Sequence, residues 1–252
     1  MRELYCGDCL EIMKQLPDKS VDLICCDLPY GTTKCSWDIV IPFDLLWEQY
    51  KRIAKDNAAI LLFATEPFAS QLRLSNLEWY KYDLYWKKEK PTNFMNLKKR
   101  AGKVTENICV FYKEQPTYNP QMVKYNGKPV KNSPKGRFNS EVSSKWNRQI
   151  SPYIDTGYRY PCDILEFRRE KLGSTVHPTQ KPLTLVEYLL KTFSNESDLV
   201  LDNCMGSGTT GVAALKLNRW FIGIEKDEHY FEIARKRMEE LEWEGWYTRA
   251  IA

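Results

Sequence analysis

Short unbroken apolar runs alternate with amphipathic stretches along most of this chain. Residues 21–26 (Val-Asp-Leu-Ile-Cys-Cys) and 58–64 (Ala-Ala-Ile-Leu-Leu-Phe-Ala) have the length and continuity of strands buried on both faces. Between them, residues 43–53 place apolar side chains at helical spacing, and Pro67 opens a helix running to about Leu74. Ahead of them, residues 4–16 read as a short strand followed by a helix-like stretch, closed by the turn Pro17-Asp18-Lys19-Ser20. Two more strands are predicted at residues 80–86 and 107–112. From Lys113 to Ser174 the periodicity lapses, and Pro, Asn, Ser, Lys and Tyr dominate. It returns with a helix over 183–193, a strand at 198–201, a helix at 210–217, a strand at 220–224 and a last helix from Asp227 to about Glu240. This alternation predicts an α/β fold with a doubly wound, mostly parallel sheet. A structureless stretch as long as 113–174 is expected inside a domain only where it binds something.

Composition changes this picture little. With 252 residues, 43% hydrophobic and 28% charged, the chain suits one large soluble domain or a domain carrying an insertion. No apolar run nears the ~20 residues that span a bilayer, and the N-terminus has no signal-peptide pattern. The expectation is a cytoplasmic protein without membrane contact, whose eight cysteines are reduced thiols. Cys6-Gly7-Asp8-Cys9 has a metal or redox spacing, but no second pair accompanies it, and His177 and His229 offer no ligand spacing, so no metal is expected.

The distribution of charge says more than its total of +4. Residues 81–148 hold 16 Lys or Arg against 5 Asp or Glu, a net +11, which leaves −7 on the rest. Clustered cations favour a polyanion through counterion release, although a solvated loop would carry the same residues. The cations assigned to such a surface are Lys34, Lys88, Lys98, Lys99, Arg100, Lys135, Arg137, Lys145 and Arg148.

Candidate chemistry sits at the ends of two predicted strands. Asp27-Leu28-Pro29-Tyr30 follows the first apolar run, and Pro29 forces the chain out of the sheet there. A carboxylate, a backbone carbonyl and an aromatic ring are presented together, and an exocyclic amine of a nucleobase needs two acceptors and a flat surface. The second place is Asp202-Asn203-Cys204-Met205-Gly206-Ser207-Gly208-Thr209-Thr210-Gly211, a strand-to-helix turn with Glu225 at the end of the next strand. Its glycines also spell the dinucleotide fingerprint, so a nicotinamide oxidoreductase is the rival reading. Against it, Asp202 ends the strand four residues before Gly206, and a carboxylate there suits a cationic ligand better than a pyrophosphate.

These motifs resemble the amino-methylating DNA methyltransferases that use S-adenosylmethionine. The likeness covers most of the chain: Gly7-Asp8-Cys9, Asp27 to Tyr30, His177-Pro178-Thr179-Gln180-Lys181-Pro182, the glycine loop and Phe221-Ile222-Gly223-Ile224-Glu225. Their order, catalytic motif first and glycine loop last, resembles the beta arrangement. The family's Asp/Asn/Ser-Pro-Pro-Tyr has Leu28 in place of its first proline here. The resemblance implies a catalytic half at 1–86, a target-recognition insertion at 87–174 with a core strand near 107–112, and a cofactor half at 175–252. It implies catalytic roles for Asp27, Pro29 and Tyr30. Asp8, Asp202, Cys204, Gly206, Ser207, Gly208, Thr209 and Glu225 would bind the cofactor, with the 177–182 stretch as pocket wall. The implied reaction is site-specific methylation of an exocyclic amine in double-stranded DNA, with adenine N6 favoured by the leading Asp and cytosine N4 as the alternative. A prokaryotic or phage origin, a homodimer and a cognate restriction endonuclease fit the same family, and a non-catalytic nucleic-acid-binding module is the reading from another class.

Overall fold

The computed structural model describes residues 1–32, 38–125, 156–169 and 180–250, the side chains of Phe94 and 242–250 excepted. The chain divides into two units, residues 1–119 with 162–252, and residues 120–161. In the smaller unit, two short strands, Val123–Lys124 and Tyr158–Arg159, pair antiparallel, and the Arg159 guanidinium lies 4.3 Å over the Tyr125 ring.

The larger unit is built on one eight-stranded sheet. In chain order its elements are β1 (Arg2–Cys6), α1 (Cys9–Met13), β2 (Val21–Asp27), α2 (Phe43–Ile53), β3 (Ala54–Ala64), α3 (Phe68–Ser75), β4 (Tyr80–Lys87) and β5 (Thr105–Phe111). With β6 and β7 the two short strands of the smaller unit, there follow β8 (Ile164–Glu166), α4 (Leu183–Phe193), β9 (Leu199–Asp202), α5 (Thr209–Lys216), β10 (Trp220–Glu225) and α6 (Glu228–Ala250). The strand order is β1-β10-β9-β2-β3-β5-β4-β8. Pairing is parallel from β1 through β3; β5 runs antiparallel to both β3 and β4, and β8 is parallel to β4.

Side-chain alternation along the central strands explains why helices cover both faces. In β2, Ile24 and Cys26 pack with Met13, Leu46, Tyr50, Ile53 and Phe68 from α1, α2 and α3. Leu23 and Cys25 turn the other way, against Leu185, Leu189, Val212, Ala213, Ala234 and Met238 from α4, α5 and α6. A strand buried on both sides has no polar face to show, hence the continuous apolar runs. Helix α2 buries Leu46, Trp47, Tyr50 and Ile53, each worth about 1.5–3 kcal/mol when fully removed from water. Its last-turn Arg52 donates to the carbonyls of Met13 and Leu16 and to Asp18, fastening the turn that leads into β2.

Several bounds differ from expectation for local reasons. Strand β3 begins at Ala54, directly after α2, because Val21 pairs with Ala54 before a register shift in the ladder. Strand β8 lies in the stretch read as aperiodic: three residues with only Leu165 buried leave no period to detect. Helix α6 runs to Ala250, beyond the expected Glu240. The 113–174 stretch thus divides, with residues 113–119 and 162–166 belonging to the larger unit. No helix among the described residues is long and apolar enough to cross a membrane.

Candidate active site

Strands β2 and β9 are neighbours, with Leu23 opposite Val200 and Ile24 opposite Leu201, and β1 lies beside β10 with Cys6 opposite Glu225. The strand ends that carry Asp27, Asp202 and Glu225 therefore open on one side of the sheet, where connections to opposite faces diverge and a crevice forms. A cleft of about 990 Å³ lies there, lined by Asp8, Asp27, Pro29, Tyr30, Asp202, Cys204, Gly206, Ser207, Thr209 and Glu225 among others.

At the β2 end, Asp27 is held by two groups from distant parts of the chain. The Tyr30 hydroxyl donates to Asp27 Oδ1 at 2.6 Å, and Lys181 Nζ forms an ion pair with Oδ2. Lys181 also reaches Glu106 Oε1 at 3.0 Å, and Lys88 Nζ sits 2.5 Å from Glu106 Oε2. Two lysines and two carboxylates thus form a charge-balanced cluster, with only Asp27 appreciably open to solvent. Burial disfavours charge on Lys181, but Asp27 and Glu106 outweigh it and push its pKa up. Burial likewise opposes ionisation of Glu106, yet Lys181 and Lys88 hold it below the usual carboxylate range. Burial, with Asp27 and Glu106 close by, raises the Tyr30 phenol well above its ordinary value, so it remains a donor. Its ring packs on Phe68 at 5.0 Å between centroids. Leu28, the departure from the family pattern, is 4% exposed, packs in the cluster that holds α2 and α3 and also lines the cleft.

Lys181 as the partner of Asp27, and Glu106 as the second carboxylate on that lysine, were missed by sequence reasoning. The signals were a lysine directly before Pro182 and a polar Glu106-Asn107 pair opening an otherwise apolar strand; neither says which strand lies opposite. Lys88 is a correction: assigned to a DNA-facing surface, it is 8% exposed and paired with Glu106 in the cleft wall. Lys98, Lys99 and Arg100 are exposed between β4 and β5. Lys34, Lys135, Arg137, Lys145, Arg148 and the 177–179 stretch lie outside the described residues.

At the β9 end, Asp202 is 3% exposed and accepts from the Cys204 amide at 3.1 Å, from the Thr210 hydroxyl and from the Cys26 thiol. Burial raises its pKa to about 7, against the pull of those donors. Glu225 accepts from the Gly206 amide at 2.8 Å and the Asp227 amide at 2.9 Å, and burial raises it despite them. Gly206 and Gly208 both occupy the left-handed region, at φ +51° and +77°. A Cβ on Gly208 would come within 2.8 Å of Ala234 Cβ, so that glycine serves the packing of α5 on α6, whereas Gly206 faces open space. Ser207 and Thr209 line the cleft with hydroxyls already accepting from Arg237, at 3.2 and 3.5 Å. Asp8 N-caps α1, accepting from the Leu10 amide at 3.0 Å, and stands on the rim. The acids Asp8, Asp202, Glu225 and Asp227 around an open glycine turn suit a ligand bearing a sulfonium, an ammonium and ribose hydroxyls, so the residues present fit S-adenosylmethionine. Among the described residues no group of His, Cys, Asp and Glu is arranged to hold a metal ion.

A family model described as DNA methylase, covering the N6/N4 methyltransferases, matches residues 21–236. The chain belongs to that family. It is a DNA methyltransferase dependent on S-adenosylmethionine, and the oxidoreductase reading of its glycines falls away. The methyltransferase is 28% identical over 92% of its length to the DNA adenine methyltransferase YhdJ of Escherichia coli (strain K12), covering 81% of that protein. It is 27% identical over 93% of its length to the Type II methyltransferase M.HinfI of Haemophilus influenzae, covering 67%. Among solved structures, the M1.HpyAVI complex with SAM is 27% identical, with 94% of this chain and 99% of that one covered at a TM-score of 0.64. The PvuII cytosine-N4-specific methyltransferase shares the fold at 16% identity, with 93% and 85% covered and a TM-score of 0.67.

Proposed function

We propose that this methyltransferase modifies N6 of adenine at a specific site in double-stranded DNA, with Asp27, Pro29 and Tyr30 touching the flipped base. The observation that carries the reading is an ion-paired carboxylate, Asp27, at the end of β2, in the cleft that also holds the acidic glycine turn. The name of the adenine-specific relative supports the choice of base. Asp27 accepts one N–H of the amine and the Pro29 carbonyl the other, which turns the nitrogen lone pair out of conjugation with the ring. S-adenosylmethionine, when bound, supplies an electrophilic methyl group; Asp8, Asp202, Cys204, Gly206, Ser207, Gly208, Thr209 and Glu225 are the residues that would hold it. Lys181, held in turn by Glu106, fixes the direction of the Asp27 carboxylate. Asp27 then takes the surplus proton that the methylated amine must lose, a protonated aryl amine being a strong acid. Tyr30, already ordered against Phe68, gives the base a stacking surface that recovers part of an unstacking cost of a few kcal/mol.

The test is to incubate the protein with unmethylated DNA and S-adenosylmethionine, digest to nucleosides and identify the product by mass spectrometry. N6-methyladenine is expected, and N4-methylcytosine would overturn the base assignment. By the same reading the enzyme works inside a cell, where DNA is, and a restriction endonuclease of the same specificity is its expected companion.

Two further outcomes follow from the site. A cationic ligand favours the ionised form of Asp202, whose pKa burial raises to about 7. Cofactor affinity should therefore climb as pH rises through about 7 and level off above it, with proton release on binding. Calorimetry in buffers of different ionisation enthalpy reads both, and a flat profile from pH 6 to 8 would refute it. Replacing Lys98, Lys99 and Arg100 together by alanine should weaken DNA binding on every sequence and reduce the salt slope by roughly three, as loss of three phosphate contacts would. An unchanged slope would remove them from the interface.

A further inference from the structure

Extruding a base leaves a gap in the stack, and DNA-deforming proteins commonly insert apolar side chains such as Met, Leu or Phe between base steps. Resting on the reading that this enzyme flips its target, we infer that Met95, at the tip of the β4–β5 connection, is the side chain that enters the duplex as the base leaves. Met95 is 82% exposed, more than any other large hydrophobic side chain among the described residues. Leu97, two positions on, is 49% exposed, so the tip presents two apolar side chains to solvent.

The connection is built as a stiff finger. The Thr92 amide donates to the Lys103 carbonyl at 3.0 Å, and Asn93 bridges the two arms, donating to the Ala101 carbonyl at 3.0 Å and accepting from the Lys103 amide at 2.6 Å. A single 3-10 turn, Phe94–Asn96, closes the tip, continued by Lys99 and Arg100 amides donating to the Asn96 carbonyl. Gly102 lets Pro91 and Leu97 close on it, since a Cβ there would come within 2.8 and 2.9 Å of them. A tip fastened this way loses little conformational freedom on binding.

Its base stands in the cleft. Lys88 and Thr92 on one arm and Glu106 at the end of the other line the same cavity as Asp27, and Lys103 on the second arm donates to Thr65 at 2.8 Å, itself a lining residue. Met95 is thus three residues beyond Thr92, which lines that cavity. Residues 95–101 are all exposed and include Lys98, Lys99 and Arg100, with Lys90 exposed on the incoming arm. An apolar tip among unbroken positive charge suits the stacked interior of a duplex between its phosphates, and it repels the same finger on a second copy.

The experiment measures single-turnover methylation by wild type, Met95→Ala and Met95→Leu on the site found by sequencing the modified DNA. One duplex pairs the target base normally and the other places it opposite an abasic position, where extrusion is cheap. Met95→Ala should lose about tenfold or more on the paired duplex, the scale of one buried apolar side chain, and little on the abasic one. Met95→Leu should keep most of the activity on both. Cofactor binding by calorimetry should be the same in all three. Equal loss by Met95→Ala on both duplexes, or loss on neither, would overturn the wedge. So would a wild type that dimerises through this tip in sedimentation while Met95→Ala does not. Identifying the methylated nucleoside in the same samples tells a wrong base apart from a wrong wedge.

Discussion

Replacing Asp27 with alanine is expected to abolish methyl transfer while S-adenosylmethionine still binds. The carboxylate supplies an acceptor for the target amine and a place for its proton, and both are needed only where the base reacts. Loss of a positioned acceptor and base together should reduce turnover by at least about 10³-fold. The residues proposed for the cofactor stand at the ends of β9 and β10, in the turn from β9 into α5 and in the turn after β1, so its affinity should change little. The removal is not free of structural cost. Lys181 and Lys88 would face Glu106 alone, two cations against one buried carboxylate. Asp27→Asn keeps the shape and one acceptor oxygen but cannot take up the proton, and it separates chemistry from folding. Turnover by either variant near the wild-type rate, with equal cofactor affinity, would remove Asp27 from the mechanism.

The second large effect is expected from Lys181→Met. Its ammonium is buried between Asp27 and Glu106, and removing one partner of a buried ion pair costs about 3–5 kcal/mol because the remaining charge has lost its compensation. Asp27 would keep only the Tyr30 hydroxyl and lose its fixed direction. The expected kinetic result is a fall in kcat of roughly 10- to 100-fold with KM for DNA nearly unchanged, since positioning is needed in the transition state more than in binding. Lys181→Arg, which restores a cation, should recover part of it; loss in KM alone would argue for a binding role.

The same variant should shift the acid limb of stability. Glu106 has a folded-state pKa below its unfolded value, so its contribution is present above the unfolded pKa and is lost as pH falls through the folded one. With Lys181 gone only Lys88 opposes the burial of that carboxylate, and acid unfolding should begin at a higher pH than in wild type. The Lys181 contribution runs oppositely: its raised pKa means stability present below the unfolded value and lost only in strong alkali. Far-UV circular dichroism across an acid titration would decide the point, and coincident midpoints would refute it.

The alternation of buried strands and amphipathic helices was legible because its cause is local. A strand with both faces covered must be apolar throughout, and a helix with one face covered must repeat near 3.6 residues, so 43–53 and 183–193 were read with the bounds the structure has. The two chemical stretches were legible for a similar reason: Pro29, two residues after the carboxylate that closes β2, takes the chain out of the sheet, and the glycines after Asp202 permit a left-handed turn. Together they carry the resemblance to the methyltransferase family whose model the chain matches over residues 21–236. What the tertiary structure alone decided is who stands beside Asp27. Lys181, Glu106 and Lys88 come from separate stretches of the chain and meet because β5 pairs antiparallel with β3 and β4, β3 parallel with β2, and Lys181, two residues before α4, pairs with Asp27 and Glu106. A lysine's charge is the same on a DNA-facing surface and in a buried cluster, so the basic count of residues 81–148 could not tell Lys88 from Lys98. Strand order, which is a long-range property, turned one inward to a carboxylate and left the other to solvent.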